Sequence, residues 1–493
     1  MISGRYTEAE SLYRAEIAKD PSDEELKAGL VRVLLGEQKV EDAATTVRAA
    51  LGKDPQSPVL LTALAEVQHR QGLPWEEQKT LSAAQVRGIC YPLLHLALAN
   101  YFLFNSYYAT AQRQIEVAYQ LDPYDPEIRR IWMQTLPQTQ RIAELKRYLA
   151  IDHSNDEEAR NARTELTVLE SEQTANGGCH LVSSVSSTEI PFQPIMFNAE
   201  LVRAWGLEVA FNNHKSRLVI DTGASGLYIN RSLAQKAGLR PVTETQASGI
   251  GDKGPQSGYL AVADSIKIGG LEFRNCLVEV SDSRNVVGND GLIGMNVFSH
   301  FLVTLDFPWR KLTLGPLPPY PGSAAGPVQL NTEGQGQHST MSGGPHDRYV
   351  APEMKDWMRV YRVGHALIIP GVINKKKDGL FVIDTGAQLS ALTPSAAAAV
   401  AKVHAYEGMQ IRGVDGTVKN PLYSQDISVQ FGNLEQKYAR MTVFSLDGLS
   451  QGMGTEISGL LGEDTLGVLV IHIDYRDGLM KFEYSPNRGY QHF

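Results

Sequence analysis

Cysteine is scarce in this chain. Three occur in 493 residues, Cys90, Cys179 and Cys276. They stand far apart, are odd in number and form no C-x-x-C pair, so neither a disulfide framework nor a zinc site is expected. Cys90, inside the apolar stretch ICYPLLHLAL, reads as a small buried hydrophobe. Basic charge is not in excess either: 46 Lys and Arg face 55 Asp and Glu, a net charge of -9. That excludes a dedicated nucleic-acid binder and gives no basis for docking on an anionic membrane surface. The longest apolar run, Tyr91 to Phe104, contains His95 and Asn100 and falls short of the roughly 20 residues of a membrane span. No HExxH and no GK[ST] phosphate loop is present, and the twelve histidines are scattered. His300 and His472 read as strand surface residues. No metal and no cofactor is expected.

What is present divides the chain. At about 150 residues per domain the length suggests about three domains, and a hydrophobic content of 43% suffices for their cores. In the first third, Asp-Pro recurs at Asp20-Pro21, Asp54-Pro55 and Asp122-Pro123, spacings of 34 and 68. Twelve residues before each proline stands an alanine, Ala9, Ala43 or Ala111. Small residues let paired helices approach, and the proline stops the second helix of each pair. Apolar residues at three- and four-residue steps, such as Leu26, Leu30, Val33 and Leu34, support helices throughout. The period and the Gly4, Tyr6, Ala9 pattern resemble a tetratricopeptide (TPR) array, which implies a surface for protein partners or substrate. The third repeat, near Gln71 to Gly88, is degenerate, and after Pro123 the pattern gives way to two or three further helices ending near Glu172. The array begins at the turn within its first repeat. The missing helix, and with it an export signal, is therefore expected upstream of Met1. A soluble protein is expected, periplasmic or secreted in that case and cytoplasmic otherwise.

The rest is one β unit written twice. VIDTGA stands at Val219–Ala224 and again at Val382–Ala387. Each copy is preceded by an apolar hairpin such as LEVAFNNHKSRLVI. Each is followed by a glycine-bearing loop (SGIGDKG, RGVDG), an apolar-glycine block (GLIG, GLLG) and a strand with aspartate (TLDF, HIDY). The offset is 163 at VIDTGA and 168 at the last two features. A Pro-, Gly- and Ser-rich linker separates the copies. The expected domains are a helical repeat over 1–172, a β lobe over 186–315, a flexible linker over 316–347 and a second β lobe over 348–486.

Duplication has a chemical reason. One lobe supplies one carboxylate. If the lobes pack about a pseudo-twofold axis, Asp221 meets Asp384, and like charges so close hold one proton between them. The ionised member is a general base for a bound water and the protonated member a general acid toward a carbonyl. Gly223 and Gly386 are expected to allow a tight turn with N–H groups facing the carboxylates. Thr222 and Thr385 carry hydroxyls suited to bonding across the junction.

These residues, with GLIG and GLLG, resemble the aspartic peptidases, and their retropepsin-like branch more than pepsin. The resemblance covers roughly 190–315 and 350–485. It implies an acid-protease fold with two all-β lobes packed as a pseudo-dimer, and an aspartic endopeptidase acting on protein or peptide substrates without a cofactor. It implies Asp221 and Asp384 as the catalytic pair, the threonines as their interlocking grip, and flaps over the cleft. Gly249, Ile250 and Gly251 of one flap, Gly413 and Val414 of the other, and Ala224 and Ala387 then contact substrate. GIGDKG also matches a dinucleotide fingerprint, but Pro255 follows at once and no helix opens there. Asp306 and Asp474 repeat between copies and read as structural or exposed. The alternative is a non-catalytic peptide-binding scaffold built from the array and the lobe cleft. The chain is expected as a monomer or homodimer, with lobes pairing within the chain.

Overall fold

The computed structural model describes residues 5–484 apart from 88–89, 152–156, 175–178, 197–201, 248–255, 283–289, 322–345, 407–410, 414–415 and 419–420. By contact the chain forms two units. One holds residues up to Arg163 with short stretches around Asp347 and Ser450–Glu456; the other holds the remainder.

The first unit is helical, from Tyr6–Lys19 through Pro126–Gln134 and Gln138–Ile151. The Asp-Pro period returns as a period of caps. Asp20, Asp54 and Asp122 each accept the backbone N–H two residues on, bending the chain after a helix. Three residues after each aspartate comes the N-cap of the next helix: Asp23, Ser57 and Asp125, each accepting a backbone N–H of that helix's first turn. Ala43 and Ala111 are fully buried between neighbouring helices. Three helices follow Pro123, the last being Glu157–Thr174. Cys90 is exposed, against the expectation of burial, because it lies in a turn before the helix Pro92–Phe104 rather than inside it. Among the described residues no helix is long and apolar enough to cross a membrane.

The second unit is built from β lobes. In lobe 1 the hairpin Val202–Phe211 and His214–Asp221 feeds the aspartate into the sheet. Leu218 and Ile220 point into the main core, so Val219 and Asp221 occupy the opposite face. The block Gly291–Gly294 lies parallel beside that strand, pairing Leu292 with Val219 and Gly294 with Asp221. Lobe 2 repeats this: Ala366–Ile373 pairs with Lys377–Ile383, and Gly459–Leu461 lies parallel to the latter. The closing glycines answer to sterics. A Cβ on Gly294 would stand 2.3 Å from the Ala224 carbonyl oxygen, and one on Gly462 2.8 Å from that of Ala387.

A six-stranded sheet joins the lobes. Its central pair is Phe301–Asp306 of lobe 1 and Val470–Asp474 of lobe 2, antiparallel. Thr304 pairs with His472 at its middle, and Thr304 Oγ1 meets His472 Nδ1 at 3.0 Å across a separation of 168. A residue paired with its own counterpart marks the pseudo-twofold axis. Asp306 and Asp474 are buried, not exposed; each accepts the N–H three residues on and closes the turn after its strand. His472 is half-buried in its strand, whereas His300 lies in the turn before Phe301 and not in a strand.

The cysteine expectation is corrected. Cys179 and Cys276 form a disulfide that closes a 97-residue separation. Sequence distance concealed it because the strand His180–Leu181 folds back to pair with Phe273 and Arg274 of Leu271–Ser281. The bridge ties the start of the lobe to its core sheet. Closing so long a loop is worth about 2–4 kcal/mol. Cys179→Ser is expected to lower the urea stability of the β unit by that amount. A non-reducing peptide map of the wild type should show the two cysteines linked; free thiols at both would refute the bridge.

Candidate active site

The two VIDTGA copies meet at the junction between lobes. Each threonine hydroxyl works twice. Thr222 Oγ1 donates to the Ile383 carbonyl at 2.7 Å and accepts the Thr385 N–H at 3.0 Å. Thr385 Oγ1 donates to the Ile220 carbonyl at 3.0 Å and accepts the Thr222 N–H at 3.0 Å. Both threonines are buried. Backbone groups at the ends of the two aspartate strands are thereby satisfied by the opposite lobe.

The grip sets the aspartates together: a Cβ on Gly223 would stand 3.0 Å from Asp384 Oδ1 and 3.2 Å from Asp221 Oδ1. Asp221 is buried and Asp384 half-buried. Asp221 accepts the Gly223 N–H at 2.8 Å. Asp384 Oδ1 accepts the N–H groups of Gly386 and Ala387, both at 3.0 Å. Burial raises Asp221 well above the ordinary carboxylate range, and the neighbouring Asp384 charge raises it further. Burial also raises Asp384, opposed by its two backbone donors and by the Asp221 carboxyl. The pair therefore retains a shared proton well above the usual carboxylate pKa.

The glycines lie in the expected turns and serve a further purpose. Gly223 and Gly386 do not adopt a left-handed backbone. Each is glycine because the opposite aspartate fills the space of a side chain: a Cβ on Gly386 would lie 2.4 Å from Asp221 Oδ2, and one on Gly223 2.9 Å from Asp384 Cγ. Their N–H groups do face the carboxylates. Ala224 and Ala387 follow directly and are partly buried. Gly249, Ile250, Gly251 and Val414 lie outside the described residues, while Gly413 ends the strand Ile411–Gly413, paired with Gly416–Val418. The strands flanking the lobe 1 loop, Arg240–Ala247 and Gln256–Ile268, form an antiparallel hairpin, not the strand and helix of a dinucleotide site. Among the described residues no cluster of three or more His, Cys, Asp or Glu is placed to hold a metal.

Two contacts at the junction are not legible in the sequence. His365, in the turn before Ala366, donates from Nε2 to the Gly223 carbonyl at 3.0 Å, and burial holds it below the usual histidine range. Arg362 Nη2 fixes that turn through the Gly364 carbonyl at 2.9 Å. Gln388 Nε2 donates to the Arg203 carbonyl at 3.2 Å. Lobe 1 has Ser225 where lobe 2 has Gln388 and Arg203 where lobe 2 has His365, so comparing the copies revealed no shared motif at either place.

Residues 207–297 and 369–465 each match the aspartyl protease family. Residues 1–72 match the tetratricopeptide repeat family. The chain thus carries one segment similar to tetratricopeptide repeats and two similar to aspartyl proteases. Among solved structures it is similar to a retropepsin-like aspartic protease from Rickettsia conorii. The identity is 21% over 27% of this chain and 94% of the other, with a TM-score of 0.20. No curated protein matches the chain. The family matches support a protease-like function and protein interaction. Both copies of the aspartate motif fall inside the matched segments.

The threonine contacts yield a test. Thr222→Val keeps the shape but strands the Thr385 N–H and the Ile383 carbonyl in a buried junction, at roughly 1–3 kcal/mol for each group. The variant is expected to lose at least about 2 kcal/mol in urea unfolding, and Thr222→Ser to recover most of it. Equal stability of Val and wild type would show that the grip contributes nothing.

Proposed function

We propose that the chain is an aspartic endopeptidase that hydrolyses peptide bonds by a water activated between Asp221 and Asp384, with the tetratricopeptide region recruiting substrate or partner proteins. The observation that supports this is the meeting of two carboxyl groups, one from each lobe, at one junction, each with a raised proton affinity. Asp384, with two backbone donors, is the better place for the negative charge, and Asp221 for the proton. In this reading Asp384 takes a proton from the water, whose oxygen adds to the peptide carbonyl carbon as Asp221 protonates the carbonyl oxygen. Collapse of the tetrahedral diol breaks the C–N bond, and the nitrogen leaves carrying a proton returned from the pair. The domain limits proposed are 1–172 for the array, 186–315 and 348–486 for the lobes and 316–347 for the linker. An oxidising compartment, periplasmic or extracellular, suits the Cys179–Cys276 bridge.

Asp221→Asn and Asp384→Asn test the reading. Each keeps the shape but removes the shared proton, and each alone should lower kcat on the order of 10³-fold or more. Peptide cleavage at near wild-type rate by either variant would refute the assignment. No cleavage by the wild type, with retained peptide binding, would favour a scaffold.

The pH profile is a further test. Neither Ala224 nor Ala387 offers a hydroxyl to the carboxylates, and the Ser225 hydroxyl sits against Asn296, whose Nδ2 donates to it at 3.4 Å. A donor to the charged form lowers a pKa; its absence leaves the pair's upper pKa high. Activity needs the singly protonated pair, so it should persist into mildly acidic or neutral solution and fall as pH rises through that upper pKa. Ala224→Ser and Ala387→Ser should move the falling alkaline limb of kcat/KM to lower pH. Limbs left in place in both variants would count against this account.

A further inference from the structure

On the face of the lobe 1 sheet that carries Asp221 lies a carboxylate, Glu279, with no part in the chemistry above. Strand registers place it. Leu292 pairs with Val219, Tyr228 with Leu292, and Glu279 with Tyr228. These four therefore form one row across the sheet. Their sequence neighbours Ile220, Ile293, Leu227, Ile229, Val278 and Val280 all enter the main core. By the two-residue alternation of strands, the row lies on the other face, with Asp221 one step along. Val219, Tyr228 and Leu292 form, with Ile195 of Gln193–Met196, a separate buried apolar cluster there, and Ala224, directly after the aspartate motif, packs against it partly exposed.

Glu279 ends this row, half-buried, beside Tyr228 on one side and Leu260, its partner in Gln256–Ile268, on the other. Burial alone pushes its carboxyl up to about 7. Among the described residues no cation pairs with it: the residues beside it are Tyr228 and Leu260, and the next positions on its own face, Leu277 and Ser281, are neutral. A carboxylate held against an apolar wall is costly unless a guest supplies the charge. Lobe 2 lacks it. The residue 163 beyond Tyr228 is Ala391, and its partner in the position of Glu279 is Thr442.

We propose that Glu279 makes the cleft wall of lobe 1 select a cationic side chain, lysine or arginine, on one side of the scissile bond. The stem of such a side chain suits Tyr228, Leu260 and Leu292, and its head meets the carboxylate. A pseudo-symmetric cleft accepts an extended peptide in either direction. One charge in one wall sets the direction, because the neutral Ala391 and Thr442 wall gives no matching reward.

The proposal rests on the peptidase reading, and the experiment separates the two. Fluorogenic peptides differing only in Lys, Arg, Gln or norleucine at one position are compared through the ratio of kcat/KM. The wild type should favour Lys or Arg over norleucine by about tenfold or more at one position only. In Glu279→Gln the ratio should fall toward one. The wild type offers a second readout that needs no variant to fold. The Lys-to-norleucine ratio should decline as pH falls through the range near 7, while the aspartate pair, common to both peptides, cancels. An unchanged ratio in Glu279→Gln, or equal cationic preference on both sides of the bond, overturns the proposal. Should no peptide be cleaved, the peptidase reading fails by itself. Fluorescence anisotropy with the same peptides then decides: loss of Lys discrimination in Glu279→Gln upholds the role of Glu279, and equal affinities overturn it.

Discussion

Two carboxyl groups pressed together away from water repel when both are charged, and the junction between lobes exists to hold them there. Everything nearby serves that constraint. The threonines exchange hydrogen bonds so that the Ile220 and Ile383 carbonyls and the Thr222 and Thr385 N–H groups are satisfied by the opposite lobe. Glycine follows each threonine because the opposite aspartate leaves no room for a Cβ. The parallel glycine blocks wedge each aspartate strand from the side. Behind them the joint sheet, centred on Thr304 and His472, fixes the distance between lobes independently of the loops. The strain of juxtaposed acids is thus opposed by backbone pairing, which is directional and cannot drift as side chains can.

Much of this was legible as repetition. The 34-residue Asp-Pro period marked the helical array, and the structure explains it as a repeated pair of caps, an aspartate that bends the chain and a second side chain that starts the next helix. The doubled VIDTGA, with offsets of 163 and 168, marked two lobes. The pairing of Thr304 with His472 makes the second offset a symmetry operation. Repetition reveals what two copies share, and it is silent about what either holds alone.

The misreadings follow from that silence. Cys179 and Cys276 looked unrelated because proximity came from a strand that folds back on the lobe, a long-range pairing with no local signal. Cys90 looked buried because it adjoins an apolar helix, yet it precedes the helix in a turn. His365 was invisible because its partner is a backbone carbonyl 142 residues away. Glu279 was accessible in principle: the alternation Cys276, Val278, Val280 runs into the core and leaves Glu279 on the other face. What the alternation lacks is the register that places that face beside Asp221.

Joining both lobes in one chain changes what the cleft is able to become. In a symmetric dimer of identical lobes any residue near the axis appears twice, so a feature that breaks symmetry is unavailable. Here the axis relates only similar residues. Asp221, Thr222 and Gly223 are matched by Asp384, Thr385 and Gly386, since the contacts across the junction need both halves. Around them the halves have diverged: Gln388 opposite Ser225, Ala391 opposite Tyr228, and a His365 contact on one side alone. Asymmetry also enters the pair itself. Asp384 accepts two backbone donors through one oxygen while Asp221 is the more deeply buried, so the shared proton has an unequal choice of host. A peptide is directional, with unlike groups at its two ends. A junction of two unlike halves is able to match that direction, and a single chain makes the unlike halves permanent.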